Sequence, residues 1–153
     1  ERVDLARLCQ EVIQDRYPSI QSRRQDIELD AVAGEIPGNQ FALSALVANL
    51  VDNSSKYTPE QGRIRLSLTA TPRAVELVVE DSGIGISPEL RARVMDRFFR
   101  INSGWDVQGC GLGLSIVQHV VSLHRATLAI DQSSFDQGTR VSVQFPRFEE
   151  AIS

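Results

Sequence analysis

The sequence predicts a two-layer α/β sandwich of the α+β type: a mixed, mostly antiparallel sheet with its helices stacked on one face. Three observations point there. First, Ile64, Leu66 and Leu68 alternate with Arg63, Arg65, Ser67 and Thr69, and Val75, Leu77 and Val79 alternate with Glu76, Val78 and Glu80. These runs read as strands of period two, and the short link at 70–73 makes them an antiparallel hairpin. Second, residues 39–55 and 112–123 carry broad apolar faces at helical spacing. Third, half-polar strands have one dry and one wetter face, so a single helical layer suffices.

The elements follow in order. Residues 4–24 place Leu5, Leu8, Cys9, Val12 and Ile13 at helical spacing until Tyr17-Pro18 interrupts the pattern. Residues 26–33 alternate as a strand, and Gly34 and Gly38 bracket a turn containing Pro37. Phe41, Leu43, Leu46, Val47, Leu50 and Val51 form the apolar face of the helix at 39–55, which Thr58-Pro59 stops. Residues 82–88, with Gly83, Gly85 and Pro88, read as loop, followed by a short helix at 88–95. Residues 101–111 are polar and glycine-rich, a segment expected to be mobile. Leu112, Ile116, Val117, Val120 and Val121 define the helix at 112–123, and strands at 126–131 and 139–145 close the chain.

Composition narrows the function classes. With 42% hydrophobic and 24% charged residues, the 153-residue chain is ordinary globular protein. A net charge of −4 argues against a general nucleic-acid or membrane-surface binder. Cys9 and Cys110 lack metal-ligand spacing, which fits a reducing compartment, and His119 and His124 have no cysteine cluster beside them, so no zinc site is expected. The longest apolar stretch, 41–51, contains Ser44 and Asn49 and falls short of a membrane span. No signal peptide is visible, and a chain starting at Glu1 is expected to be a piece of something larger.

Three local patterns carry chemistry. Asn49, Asn53 and Lys56 stand at i, i+4 and i+7 and share one helical stripe beside the apolar face. Alone, such amides also serve as caps or exposed positions. Asp81-Ser82-Gly83-Ile84-Gly85 directly follows a strand, where a carboxylate can accept from an amino group such as adenine's and glycines let a backbone come close. Alone, it is an ordinary turn. Gly109-Cys110-Gly111-Leu112-Gly113 opens a helix, whose free N–H groups and positive dipole end favour phosphate. It follows no strand, so the dinucleotide-binding fingerprint fails, and the Walker lysine motif is absent.

In this order and at these distances, the three patterns resemble the catalytic ATP-binding domain of bacterial sensor histidine kinases, in the superfamily of gyrase, the large heat-shock chaperone and the mismatch-repair ATPase. The resemblance covers about residues 26–146. Asn49 to Pro59 is similar to the family's N box, Asp81 to Gly85 to its first glycine box, Asp96-Arg97-Phe98-Phe99-Arg100 to its F box, and Gly109 to Gly113 to its second glycine box. It implies the Bergerat ATP-binding fold and two cofactors, ATP and Mg²⁺. Asp81 would read the adenine amine, with Gly83, Gly85 and Ile86 around the ring. Asn53 would hold Mg²⁺, Asn49 would sit near metal and phosphates, Lys56 would meet the phosphates and Tyr57 would flank the nucleotide. Gly109, Gly111, Leu112 and Gly113 would wrap the phosphates, and Arg100 would stabilise the γ-phosphoryl group in transfer. Asn49, Lys56 and Arg100 are thus the catalytic candidates.

The resemblance also implies an organisation and partners. Residues 1–25 would join a histidine-bearing dimerisation domain, 26–148 would form the catalytic domain and 149–153 a tail. The phosphoryl group would pass to that histidine and on to a response regulator, with no nucleic acid involved. The parent would be a homodimer anchored in the bacterial inner membrane, this part a cytoplasmic, monomeric domain. A superfamily ATPase or a non-catalytic nucleotide-binding module stands as the alternative. The ATPases, however, carry a glutamate where this chain has Asn49, and an amide cannot serve as a general base. Two departures bear on structure: Ser54 and Ser55 stand where small apolar residues are common, and Arg125-Ala126 where glycines are usual.

Overall fold

A computed structural model describes residues 1–32, 34–83, 110–135 and 138–147. In chain order the elements are β1 (Arg2–Asp4), α1 (Leu5–Ser22), β2 (Asp26–Ala31), β3 (Glu35–Pro37), α2 (Gln40–Tyr57), β4 (Arg63–Ala70), β5 (Ala74–Asp81), α3 (Cys110–Leu123), β6 (Thr127–Gln132) and β7 (Thr139–Pro146). The hairpin expected from the alternation is β4–β5, with Leu66 opposite Val79. Its turn is tied by Thr71, whose N–H donates to the Ala74 carbonyl at 2.8 Å and whose hydroxyl accepts from Ala74 N–H at 3.1 Å. The main sheet runs β2-β4-β5-β7-β6; only β2 and β4 are parallel.

Alternation decides which face is dry. Ile64, Leu66 and Leu68 of β4, Val75, Leu77 and Val79 of β5 and Val143 and Phe145 of β7 are all buried. They meet Leu8 and Val12 of α1, Leu46 and Leu50 of α2 and Val117 and Val120 of α3 in one core. This is the two-layer architecture the strands predict. The opposite face carries charges in register: Glu28 lies beside Arg65, Arg65 beside Glu80, Glu80 beside Arg140 and Arg140 beside Asp131. One row thus alternates in sign across all five strands, so this face needs no second helical layer.

The helix ends are set by local chemistry. Asn39 is the N-cap of α2, its side chain accepting from Ala42 N–H at 2.9 Å. Both α1 and α3 end in a residue with positive φ, Arg24 at 56° and Arg125 at 55°. The next N–H bonds back to Ile20 and Val121 respectively, which is the Schellman closure. Arginine therefore takes the left-handed position in place of glycine, at a cost of about 1 kcal/mol each.

Two expectations are corrected. Tyr17-Pro18 does not interrupt the first helix: Pro18 lies inside α1, which continues to Ser22. The continuation carries Ile20 into the core at 1% exposure, offsetting the bond that proline removes. The segment between Gly34 and Gly38 is no simple turn but contains strand β3, paired antiparallel with β1, with Val3 opposite Ile36 and both buried. Strands this short carry no periodic signal, and only their pairing creates them. The early part of the chain packs as well: α1 contributes Leu5, Leu8, Cys9, Val12 and Ile20 to the common core.

Gln25 joins the layers at one point. Its amide is 5% exposed and donates to the carbonyls of Ser55 at 2.9 Å and Thr58 at 2.7 Å, while its oxygen accepts from the Ser55 hydroxyl at 2.6 Å. The orphan carbonyls at the C-terminus of α2 are thereby satisfied. Gln25→Ala is expected to cost about 2–3 kcal/mol, because buried acceptors lose their donors. Urea denaturation measures it, and a loss under about 0.5 kcal/mol would remove this role.

Candidate functional site

The period of two that buries Val75, Leu77 and Val79 continues to Asp81, the last residue of β5. A carboxylate therefore stands on the core side of the sheet, 5% exposed. Its Oδ1 accepts from Gly83 N–H at 2.9 Å and from Thr139 N–H at 3.2 Å, and the Ser54 hydroxyl of α2 bonds to it as well. Burial raises its pKa above the ordinary value, and these hydrogen bonds offset only part of that rise.

Close backbone packing frames the group. A side chain at Gly83 would collide with the carbonyl oxygen of Tyr57, so the first glycine box lies directly against the end of α2. Gly138 has φ 126°, and a Cβ there would collide with the Asp81 carbonyl oxygen. Only glycine fits both the angle and the space. Ser82 ties the segment to β4 through its N–H on the Arg63 carbonyl at 3.0 Å and its hydroxyl on Arg63 N–H at 2.9 Å.

The amide stripe lies on α2. Asn49 and Asn53 are half-exposed, and the Asn49 amide donates to the Ala45 carbonyl at 2.7 Å, which leaves its oxygen as acceptor. Lys56 is exposed, with Nζ 5.8 Å from the centroid of the half-exposed Tyr57 ring. His124, just beyond α3, orients the next helix. Its Nε2 accepts from Asn39 N–H at 3.1 Å, its Nδ1 donates to the Val120 carbonyl at 2.8 Å and its ring stands edge-on to Phe145. The end of α3 thus meets the start of α2, and the two helices pack against each other.

The structure therefore brings together Asp81, Gly83 and the end of α2. Gly85, Ile86, Arg100 and Gly109 lie outside the described residues, as do the expected helix at 88–95 and residues 101–109. Cys110 and Gly111, expected in the preceding loop, belong to α3 instead. The first turn of a helix needs no N–H partner, so the glycines can lie within it. Sequence reasoning missed Ser54, noted only as a polar substitution, Thr139, read only as the start of a strand, and Gly138 just before it. A glycine abutting a strand opposite the Asp81 segment was the available signal for the latter.

Such a site, a buried carboxylate at a strand end beside an amide-bearing helix and a glycine-opened helix, defines a nucleotide-binding domain of the two-layer class. The chain belongs to the family of histidine kinase-, DNA gyrase B- and HSP90-like ATPases, which it matches over residues 38–149; domains of this family bind ATP. It is similar to the signal transduction histidine-protein kinase/phosphatase MprB of Mycolicibacterium vanbaalenii, 39% identical over 142 residues, covering 89% of this chain and 29% of the relative. The phosphate regulon sensor protein PhoR of Pseudomonas aeruginosa is 41% identical over 111 residues, 71% of this chain and 25% of that one. The chain thus spans under a third of these relatives. Among solved structures, a mycobacterial sensor histidine kinase MprB superposes with a TM-score of 0.79 at 33% identity, covering 97% of this chain and all of that one. The nucleotide-free catalytic domain of histidine kinase ThkA shares the fold, with a TM-score of 0.84 at 22% identity over 96% and 98% of the two chains. Fold and relatives together are those of a histidine kinase catalytic domain.

Two stability predictions follow from the geometry. Because the folded pKa of Asp81 is raised, the native state holds its proton more tightly than the unfolded chain. This group therefore lowers stability as pH rises from the ordinary carboxylate value near about 4 through the raised folded value. Asp81→Asn removes that component, so the nucleotide-free variant is expected to match or exceed the wild type above the window, in denaturation followed against pH. Gly138→Ala, by contrast, is expected to destabilise by about 2 kcal/mol or more, because φ and the Asp81 carbonyl both exclude a side chain; an unchanged melting curve would contradict it.

Proposed function

We propose that this domain binds Mg-ATP and donates the γ-phosphoryl group to a histidine on a dimerisation domain of the same sensor kinase, for relay to a response regulator. The observation that carries the reading is Asp81: a buried carboxylate with Oδ1 held by two backbone N–H groups, set beside the half-exposed amides of α2. In this reading Asp81 accepts from the adenine amine, while Gly83, Gly85 and Ile86 surround the ring and Tyr57 flanks it. The N-terminal turn of α3, with Gly111, Leu112 and Gly113, receives the phosphates, joined by Gly109 and Lys56.

The donor set suits Mg²⁺. Asn53 and Asn49 offer hard amide oxygens, and no cluster of three or more His, Cys, Asp or Glu exists among the described residues to hold a metal by protein alone. Asn53, with Asn49 nearby, would hold the ion together with phosphate oxygens and water. Bound there, the ion would neutralise phosphate charge. In the transfer, the bond from the β,γ-bridging oxygen to phosphorus breaks, a phosphorus–nitrogen bond forms to the imidazole, and ADP leaves. This chain's residues position and shield charge, Arg100 at the γ-phosphoryl group. Asn49 offers an amide where hydrolysis needs a base to activate water, which favours kinase over ATPase. The division at 1–25, 26–148 and 149–153, the homodimeric parent and its anchoring in the inner membrane belong to the same reading; no helix of the described residues is long and apolar enough to cross a membrane.

Calorimetry and phosphotransfer test it. Asp81→Asn is expected to weaken ATP at least about tenfold, since a site built to pair with one base loses heavily when the acceptor is wrong. Unchanged affinity would overturn the pocket. With a histidine domain supplied, Asn53→Ala is expected to slow transfer far more than it weakens metal-free ADP. Arg100→Ala should slow transfer by about tenfold or more while keeping most ATP affinity. Loss of rate and affinity in step would exclude either role.

A further inference from the structure

Glu80, next to Asp81, faces the opposite side of the sheet. That face is open, and a carboxylate there could lie in solvent, yet Glu80 is 6% exposed. The connection leaving β6 folds over it: Oε1 accepts from Ser134 N–H at 2.9 Å, from the Ser134 hydroxyl at 2.9 Å and from the Ser133 hydroxyl at 3.3 Å. Oε2 faces Arg65 at 3.8 Å. Although burial pushes its pKa up, the bonds from Ser134 and the charges of Arg140 and Arg65 bring it below the usual carboxylate value, so the group is ionised at neutral pH.

The same connection reaches Asp81 on the other face. Ser133 N–H donates to the Gly138 carbonyl at 3.3 Å and the Ser133 hydroxyl accepts from Phe135 N–H at 3.1 Å, which fastens the two ends together. The Phe135 ring lies against Arg63 and Arg65, at 4.5 and 4.8 Å. Gly138 then packs on the Asp81 carbonyl and Thr139 N–H donates to Oδ1. One end of the connection is thus gripped by Glu80, and the other grips the neighbouring residue.

We infer that Glu80 is a positioning residue for base recognition: by holding Ser133 and Ser134 it fixes Gly138 and Thr139, and these set the orientation of the Asp81 carboxylate. The inference rests on the adenine reading of Asp81. Moving Thr139 N–H frees Oδ1 to turn, and a carboxylate that can turn discriminates less well between an amino group and a carbonyl on the base.

The readout is the ratio of ADP to IDP affinity, since the hypoxanthine of IDP carries a carbonyl where adenine has its amine. Glu80→Ala is expected to lower this ratio by about tenfold, chiefly by weakening ADP. Glu80→Gln, which keeps an oxygen acceptor for the serines, is expected to retain it within about threefold. The double variant Ser133→Ala/Ser134→Ala should fall with Glu80→Ala, and it decides the matter if that variant does not fold. A wild-type ratio in a folded Glu80→Ala or in the serine variant would overturn the inference, as would a loss in Glu80→Gln equal to that in Glu80→Ala. Failure of the underlying reading looks different: the wild type itself would not prefer ADP to IDP, or Asp81→Asn would keep the preference.

Discussion

A carboxylate buried at the end of an apolar strand face is the constraint on which the rest depends. Ionised, Asp81 would be costly in the core without compensation. Two backbone N–H groups and the Ser54 hydroxyl provide it, drawn from the segment after β5, the start of β7 and α2. Each donor needs its own element to come close, so Gly83 lies against the end of α2 and Gly138 against Asp81 itself. The close approach of three elements is one solution to one electrostatic problem. Because burial still leaves the pKa raised, a hydrogen-bond donor in the pocket would favour the ionised carboxylate.

Holding α2 in place is the second requirement, since it carries Ser54 and the amides. Its two ends are fixed by side chains from other elements. Gln25 closes the C-terminal carbonyls, and His124 accepts from the first N–H at the N-cap. His124 can do so only in the tautomer whose Nδ1 proton is on the Val120 carbonyl. Each of these residues follows a left-handed arginine or immediately precedes one, so the Schellman closures of α1 and α3 aim the side chains that cap α2.

The open face explains why two layers are enough. Charges of alternating sign across the five strands give a polar surface whose partners lie on neighbouring strands, and Arg65 is within reach of both Glu28 and Glu80. Exposed pairs of this kind contribute little to stability; the buried Glu80 differs, being held by three donors from the β6–β7 connection.

The amino-acid sequence alone determined the hairpin, the closing strands and the long α2 and α3, because periodicity is local. It also put Asp81 directly after a strand, whereas the burial of its side chain on the core face was decided by packing. Tertiary structure decided what depended on distant partners. Pro18 stays helical because Ile20 docks in the core, and β3 exists because β1 pairs with it. Ser54, Thr139 and Glu80 matter because three elements converge at the end of β5. No local pattern marks a serine as the partner of a carboxylate 27 positions away (81 − 54), since hydrogen bonding of that kind is created only when the sheet and α2 are packed together.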